Sequence, residues 1–236
     1  MTLNVSPGPP TPGACRRTLH GRRVGKPLRS QLVDALARVG PTCRMHLDAV
    51  DHLDDLFSSE IRDVHLEIGF GGGEHLIAAA LARPWVGFIG VEPFLNGMAR
   101  ALFDLEASGA RNVRLFDGDA ALVLDRLPAA CLGGVDLFYP DPWPKRRHWK
   151  RRFVRRDNLD LIARALRSGG LFRFASDVPD YVDWTLREIR AHPAFRWRAE
   201  EADDWRQPPA GWPGTRYETK ALAAGRVPTY LRFERV

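Results

Sequence analysis

The stretch Leu66–His75 reads LEIGFGGGEH. An apolar run closes on an acid, passes through Gly69, Gly71, Gly72 and Gly73, and opens a helix-compatible segment at Glu74. This is the order strand, glycine turn, helix. Glycines let a backbone approach a ligand closely, and the helix that follows offers unpaired N–H groups. In open α/β sheets, ligands bind outside the carboxyl ends of the strands, so such a turn marks a ligand edge. A dinucleotide fingerprint requires G-x-G-x-x-G, and Glu74 occupies the place of its last glycine. That pattern fails, and an acid followed by alternate glycines at 69, 71 and 73 is left to explain.

Outward from the turn, short apolar runs alternate with amphipathic stretches. Strands are predicted at 63–69, 86–92, 112–116, 133–139 and 169–176, with helices at 74–82, 95–108, 119–127 and 153–168. This rhythm predicts an α/β fold with a doubly wound, mostly parallel sheet and helices on both faces. The unbroken apolar run VGFIGV implies burial on both faces of the sheet. Before it, SQLVDALARVG (30–40) reads as a short helix capped by Ser30 and ended by Gly40. After residue 177 come a helix at 180–191, an irregular stretch rich in Trp and Pro, and a final strand at 229–236.

The chain has 236 residues and a formal net charge of +6. Residues 1–30 carry six Lys or Arg and no acid, and residues 145–156 carry eight and no acid. Outside those segments, 21 basic residues face all 29 acids. An acidic body with two cationic segments implies localised sites for a polyanion, nucleic acid first. No apolar run approaches the length of a membrane span, and no secretory signal is expected. Three cysteines, Cys15, Cys43 and Cys131, without CxxC spacing, fit a reducing cytoplasm rather than a disulfide framework. Cys43 and His46 have no second ligand pair, so no metal is expected. Residues 1–30 are expected to be a flexible Pro-rich and basic extension, and 31–236 one folded domain.

Acids recur where the strands end. Glu92 follows the run IGV, where an unpaired carboxylate would be costly and ribose hydroxyls are natural donors. Asp119, after the third strand, either accepts from an adenine amino group or caps the helix behind it. Asp141 follows the fourth strand inside PDPWP, where three prolines stiffen the loop and bias the residues before them to extended geometry. The loop then becomes cationic at Lys145, with His148 and Trp149 placed to stack on unpaired bases.

YPDPWPKRRHWKRR (139–152) resembles the signature of bacterial tRNA (guanine-N(7)-)-methyltransferases. The E-x-G-x-G-x-G pattern resembles the cofactor motif of class I methyltransferases, as does IGVEP at 89–93. HGRRVGKPL (20–28), FASDVPDYVDW (174–184) and TRYETK (215–220) resemble further segments of the same family. The likeness runs from about residue 20 to the end, with D-P-W-P-K its specific element. Trp149 departs from it, standing where a smaller or polar residue is expected. The resemblance implies a Rossmann-like fold, S-adenosyl-L-methionine as cofactor and tRNA as partner. It implies that Glu67, Gly69, Gly71, Gly73, Glu92, Asp119 and Asp141 line the cofactor site, with Asp141 also catalytic. Lys145, Asp177, Thr215, Arg216, Tyr217 and Glu218 would meet the substrate guanosine. Arg147, His148, Trp149, Lys150, Arg151 and Arg152 would meet RNA.

Overall fold

Seven strands form one sheet: β1 (Asp63–Ile68), β2 (Val86–Val91), β3 (Val113–Phe116), β4 (Leu132–Phe138), β5 (Leu166–Ser176), β6 (Phe195–Trp197) and β7 (Thr229–Arg235). Their order is β3-β2-β1-β4-β5-β7-β6. The first five run parallel, while β7 is antiparallel to both β5 and β6. The computed structural model describes residues 20–236. The proline-rich segment 1–15 and the first basic residues, Arg16 and Arg17, lie outside the described residues.

The helices are α1 (Ser30–Arg38), α2 (Gly40–Cys43), α3 (Leu53–Leu56), α4 (Glu74–Ala82), α5 (Leu95–Ser108), α6 (Ala120–Arg126), α7 (Arg156–Ala165), α8 (Pro179–Arg190), α9 (Asp203–Arg206) and α10 (Arg216–Ala223). One sheet face packs Leu66, Ile89, Val135, Phe172 and Phe233 against α6, α7 and α8. On the other face, Phe88, Val113 and Leu115 meet α4 and α5. Burial on both faces accounts for the continuous apolar strands.

Several element boundaries differ from the sequence reading. Strand β5 begins at Leu166 rather than 169, because Leu166 already pairs with Leu132 across a register shift. Ser30 makes no cap: α1 starts at Ser30 after Arg29, with no side-chain cap bond. The irregular C-terminal stretch holds β6, α9 and α10. Residues 23–26 of the expected extension are tied to the start of α5. Leu95 N–H donates to the Arg23 carbonyl at 2.9 Å. Gly25 N–H donates to Asn96 Oδ1, and Asn96 Nδ2 donates to the Lys26 carbonyl, both at 2.7 Å.

A row of charge crosses the second sheet face. Glu67 lies opposite Asp136, Asp136 opposite Arg173, and Arg173 opposite Arg232. Strand alternation puts all four on one face, since their neighbours Leu66, Val135, Phe172 and Leu231 fill the first core. Two buried carboxyl groups side by side are costly, so each has its own partner. Arg173 donates to both oxygens of Asp136 at 2.6 and 2.5 Å. His75, from α4, sits 2.7 Å from Glu67.

Removing one partner of a buried pair leaves a charge that the interior cannot solvate. Arg173→Met is therefore expected to destabilise the protein by about 3–5 kcal/mol, read as a lower midpoint in denaturant with an unchanged slope. An unchanged midpoint would mean that the row is solvated.

Candidate active site and nucleic-acid interface

The glycine turn closes over β1 because its glycines take a conformation other residues resist. Gly69, Gly71 and Gly73 have φ of 69°, 60° and 86°. Gly73 precedes α4 with no side-chain cap, so the first N–H groups of that helix stay available at the turn. Glu92 clamps the turn from below. Its Oε2 accepts from Gly71 N–H at 2.7 Å and its Oε1 from Phe94 N–H at 2.9 Å. Gly97 lets α5 come this close, since a Cβ there would stand 2.4 Å from the Gly71 carbonyl oxygen. Burial, with a smaller push from Asp141 and Asp117, raises the Glu92 pKa to about 6.

Two of the acids expected at the cofactor behave differently. Glu67 is buried beneath the turn on His75, and burial pushes its pKa up. It supports the turn from inside, held by His75. Asp119 caps α6, accepting from Ala121 N–H at 2.9 Å through Oδ1. Its carboxylate remains partly exposed.

Asp141 follows Tyr139 and Pro140 out of β4. It is exposed as a residue, yet the protein around its carboxyl raises its pKa. The loop is strained, though differently from the expectation. Tyr139 and Trp143, both before prolines, have φ of 50° and 44° rather than extended geometry. Tyr139 N–H is fixed to the Ala175 carbonyl at 2.8 Å. The N-terminal segment crosses this same edge. A Cβ on Gly21 would lie 3.6 Å from Asp141 Oδ2, and Arg23 reaches Asp117 at 4.0 Å. His20 stands edge-on to Trp143, ring centres 6.3 Å apart. Burial lowers the His20 pKa, and so do Arg151, Arg155 and Lys150. The two cationic segments, distant in sequence, therefore meet at the Asp141 loop.

Arg146–Arg151 form a 3-10 turn. Lys145, Arg147 and Lys150 are exposed; His148, Trp149 and Arg151 are half-buried. Arg151 lies over the Trp143 ring at 4.9 Å. Trp149 packs against Trp184, centroids 5.4 Å apart. Arg152 is the clear correction. It is 1% exposed, donates to the Pro142 carbonyl at 2.9 Å and pairs with Asp180. Its guanidinium lies within about 5 Å of the Tyr181, Trp149 and Trp184 rings. It pins the loop to α8 and is not free for RNA.

The C-terminal motif arrives from the other side. Thr215 caps α10 and forms a reciprocal capping box with Glu218. Glu218 is buried, accepting from Trp212 Nε1 at 2.6 Å and from the Tyr230 hydroxyl. These bonds make Glu218 a brace for the segment. Tyr217 is exposed and overhangs the glycine turn: a Cβ on Gly71 would come within 3.3 Å of its ring. Arg216 is exposed and lies over Tyr217 at 5.5 Å. Asp177 is paired with Arg226, which ties β5 to the turn before β7.

A methyltransferase family model described as "Putative methyltransferase" matches residues 61–230. A tRNA (guanine-N(7)-)-methyltransferase from Azorhizobium caulinodans is 64% identical over 217 residues, covering 92% of this chain and 94% of that protein. The chain belongs to the tRNA (guanine-N(7)-)-methyltransferase family. A protein of the same name from Mesorhizobium japonicum is 54% identical over 226 residues, covering 95% of this chain and 97% of its own. Among solved structures, the 16S rRNA methyltransferase KamB shares the fold with a TM-score of 0.55 at 17% identity. It covers 78% of this chain and 94% of its own.

Within this tRNA methyltransferase family fold, the sequence reading passed over His20, His75, Asn96, Asp117 and Trp212. His20 and Asn96 meet partners distant in the chain, Trp143 and residues 25–26, and His75 and Trp212 meet each other across it, so local spacing does not reveal their roles. Glu67, His75 and Asp136 bring ligand-type atoms within 4.8 Å of one another. His75 and Arg173 already satisfy the two carboxylates, and that arrangement offers a metal nothing to displace cheaply. Among the described residues no helix is long and apolar enough to cross a membrane.

The raised pKa of Glu92 sets a pH dependence. An acid with a pKa of about 6 loses its charge as pH falls from 7 to 5. Affinity for S-adenosylhomocysteine, by calorimetry, is expected to fall over that interval, because the neutral carboxyl is a poorer acceptor. Glu92→Gln should flatten the profile; an identical profile in that variant would remove Glu92 from cofactor binding.

Proposed function

We propose that the protein transfers the methyl group of S-adenosyl-L-methionine to N7 of a guanine in the variable loop of tRNA, giving 7-methylguanosine. The observation that carries the reading is a juxtaposition. The glycine turn, Glu92 and Asp141 share one sheet edge with the exposed cations Lys145, Arg147 and Lys150. The names of the family relatives point to the same substrate and atom.

The cofactor supplies an electrophilic methyl group on a sulfonium. This chain's residues bind and orient. The unpaired N–H groups at the start of α4 would face the cofactor, and Glu92 would accept from its ribose hydroxyls. The open oxygen of Asp119 would accept from its adenine amino group. N7 of guanine carries a lone pair and needs no base to expose it. Methyl transfer to N7 would leave the electron pair of the broken carbon–sulfur bond on the cofactor's sulfur, so no residue need supply or take a proton at that atom. The contribution of the protein is therefore alignment of N7 with the methyl group. The methylated purine is cationic, and the Asp141 carboxylate would stabilise that developing charge. Tyr217, over the glycine turn, and the exposed Lys145 would contact the base, and Thr215, Glu218 and Asp177 brace the segments beside them.

The polyanion is gathered electrostatically, so its affinity falls with salt. The site implies accessible, unpaired bases rather than a readable duplex groove. We infer a cytoplasmic setting, where tRNA is processed and thiols stay reduced.

Incubation with unmodified tRNA and methyl-labelled S-adenosylmethionine is expected to yield 7-methylguanosine; methyl transfer to another atom would contradict the reading. Asp141→Asn is expected to keep tRNA affinity and lose most single-turnover rate. Replacing Arg147 and Lys150 by Gln should weaken tRNA binding and reduce its salt slope by about 2. Arg152→Gln should act mainly on stability and leave that slope in place. A slope reduced equally by Arg152→Gln would return Arg152 to the RNA surface.

A further inference from the structure

His75 and Trp212 lie 137 positions apart and belong to neither the cofactor lining nor the exposed cations. The imidazole of His75 and the indole of Trp212 are 5.0 Å apart at 37°. Phe138, the last residue of β4, stands edge-on to both, at 4.7 Å from His75 and 4.8 Å from Trp212. Each ring has a polar end directed elsewhere. His75 Nδ1 holds Glu67 beneath the glycine turn at 2.7 Å. Trp212 Nε1 holds Glu218 at 2.6 Å, and Glu218 closes the capping box of Thr215.

The cluster thus joins two ligand-facing segments. On one side is the turn at 69–73. On the other is the Thr215–Glu218 motif, whose Tyr217 ring overhangs Gly71. Packing alone would need an indole of this shape but not its N–H. The N–H is spent on a buried carboxylate that also holds Tyr230 and the Thr215 N–H. Loss of that donor leaves Glu218 short of one partner and frees the entry to α10.

We propose that His75 and Trp212 are positioning residues that seat the Thr215–Glu218 motif on the glycine turn, setting the substrate base at a fixed height over the cofactor. The inference rests on the tRNA methylation reading above. Neither residue touches the reacting atoms. A seat that is loose by an ångström misaligns N7 and the methyl group while leaving each ligand able to bind separately.

Trp212→Phe keeps a ring on His75 and removes the donor; His75→Gln keeps a hydrogen bond to Glu67 and removes the ring. Each is expected to lower the single-turnover methylation rate at saturating tRNA at least tenfold. Dissociation constants for S-adenosylhomocysteine and for tRNA should each move less than threefold. Because both act on one seat, the double variant should lose little more than the worse single one. Rates equal to wild type in Trp212→Phe overturn the inference. So does a loss of S-adenosylhomocysteine affinity that matches the loss of rate, which would mean general disorder of the turn. So do fully additive losses. If His75→Gln fails to fold, Trp212→Phe decides alone. If wild-type protein forms no 7-methylguanosine while binding both ligands, the tRNA methylation reading is what fails.

Discussion

The charge row Glu67–Asp136–Arg173–Arg232 is the constraint under which the ligand edge is built. It lies under the glycine turn and under the last turn of β4, where an ordinary core would place apolar side chains. Two neighbouring buried carboxyl groups are tolerable only with partners at fixed distances, and Arg173 and His75 supply them. Such a row fixes the register of β1, β4 and β5 more sharply than apolar packing does, because a slip of one residue would bury unpaired charge. The same row anchors His75, and through it the aromatic cluster on which Trp212 rests. The geometry of the edge therefore follows from a demand for charge neutrality inside the sheet.

At that edge, two different tasks meet within one short loop. PDPWP carries Asp141 out of β4 with backbone strain at Tyr139 and Trp143, each costing on the order of 1–3 kcal/mol. The strain is held in place from two sides. Arg152 pulls the loop onto α8 through the Pro142 carbonyl and Asp180. His20 and Arg151 flank the Trp143 ring. The apolar strand can turn abruptly into a cationic segment because one of its eight cations is sacrificed to the interior. The loop that results holds the Asp141 carboxylate at the edge of the glycine turn's strands while Lys145, Arg147 and Lys150 stay exposed.

Much of this was legible in the sequence. Alternating apolar runs gave the strands, and Gly69, Gly71 and Gly73 sit at the left-handed positions the turn requires. Glu92, Asp119 and Asp141 fall at the carboxyl edge as their places after strands implied. Arg152 has the residue type and position of an RNA contact, but Tyr181, Trp184 and Asp180 take it inside. Burial of a charged group depends on partners that only the fold brings near. Helix α10 was hidden for a related reason: its stability comes from the Thr215–Glu218 box and the Trp212 and Tyr230 bonds, not from apolar periodicity.

The central claim is that cofactor and RNA meet across the Asp141 loop. Hydrogen–deuterium exchange on the full chain tests it most directly, with S-adenosylhomocysteine added first and tRNA second. The account predicts that S-adenosylhomocysteine slows exchange at 69–74 and 92–97, and that tRNA then slows it at 145–151 and 215–220. Protection by tRNA at the opposite sheet edge, around 59–63 and 109–112, with 145–151 unchanged, would contradict it.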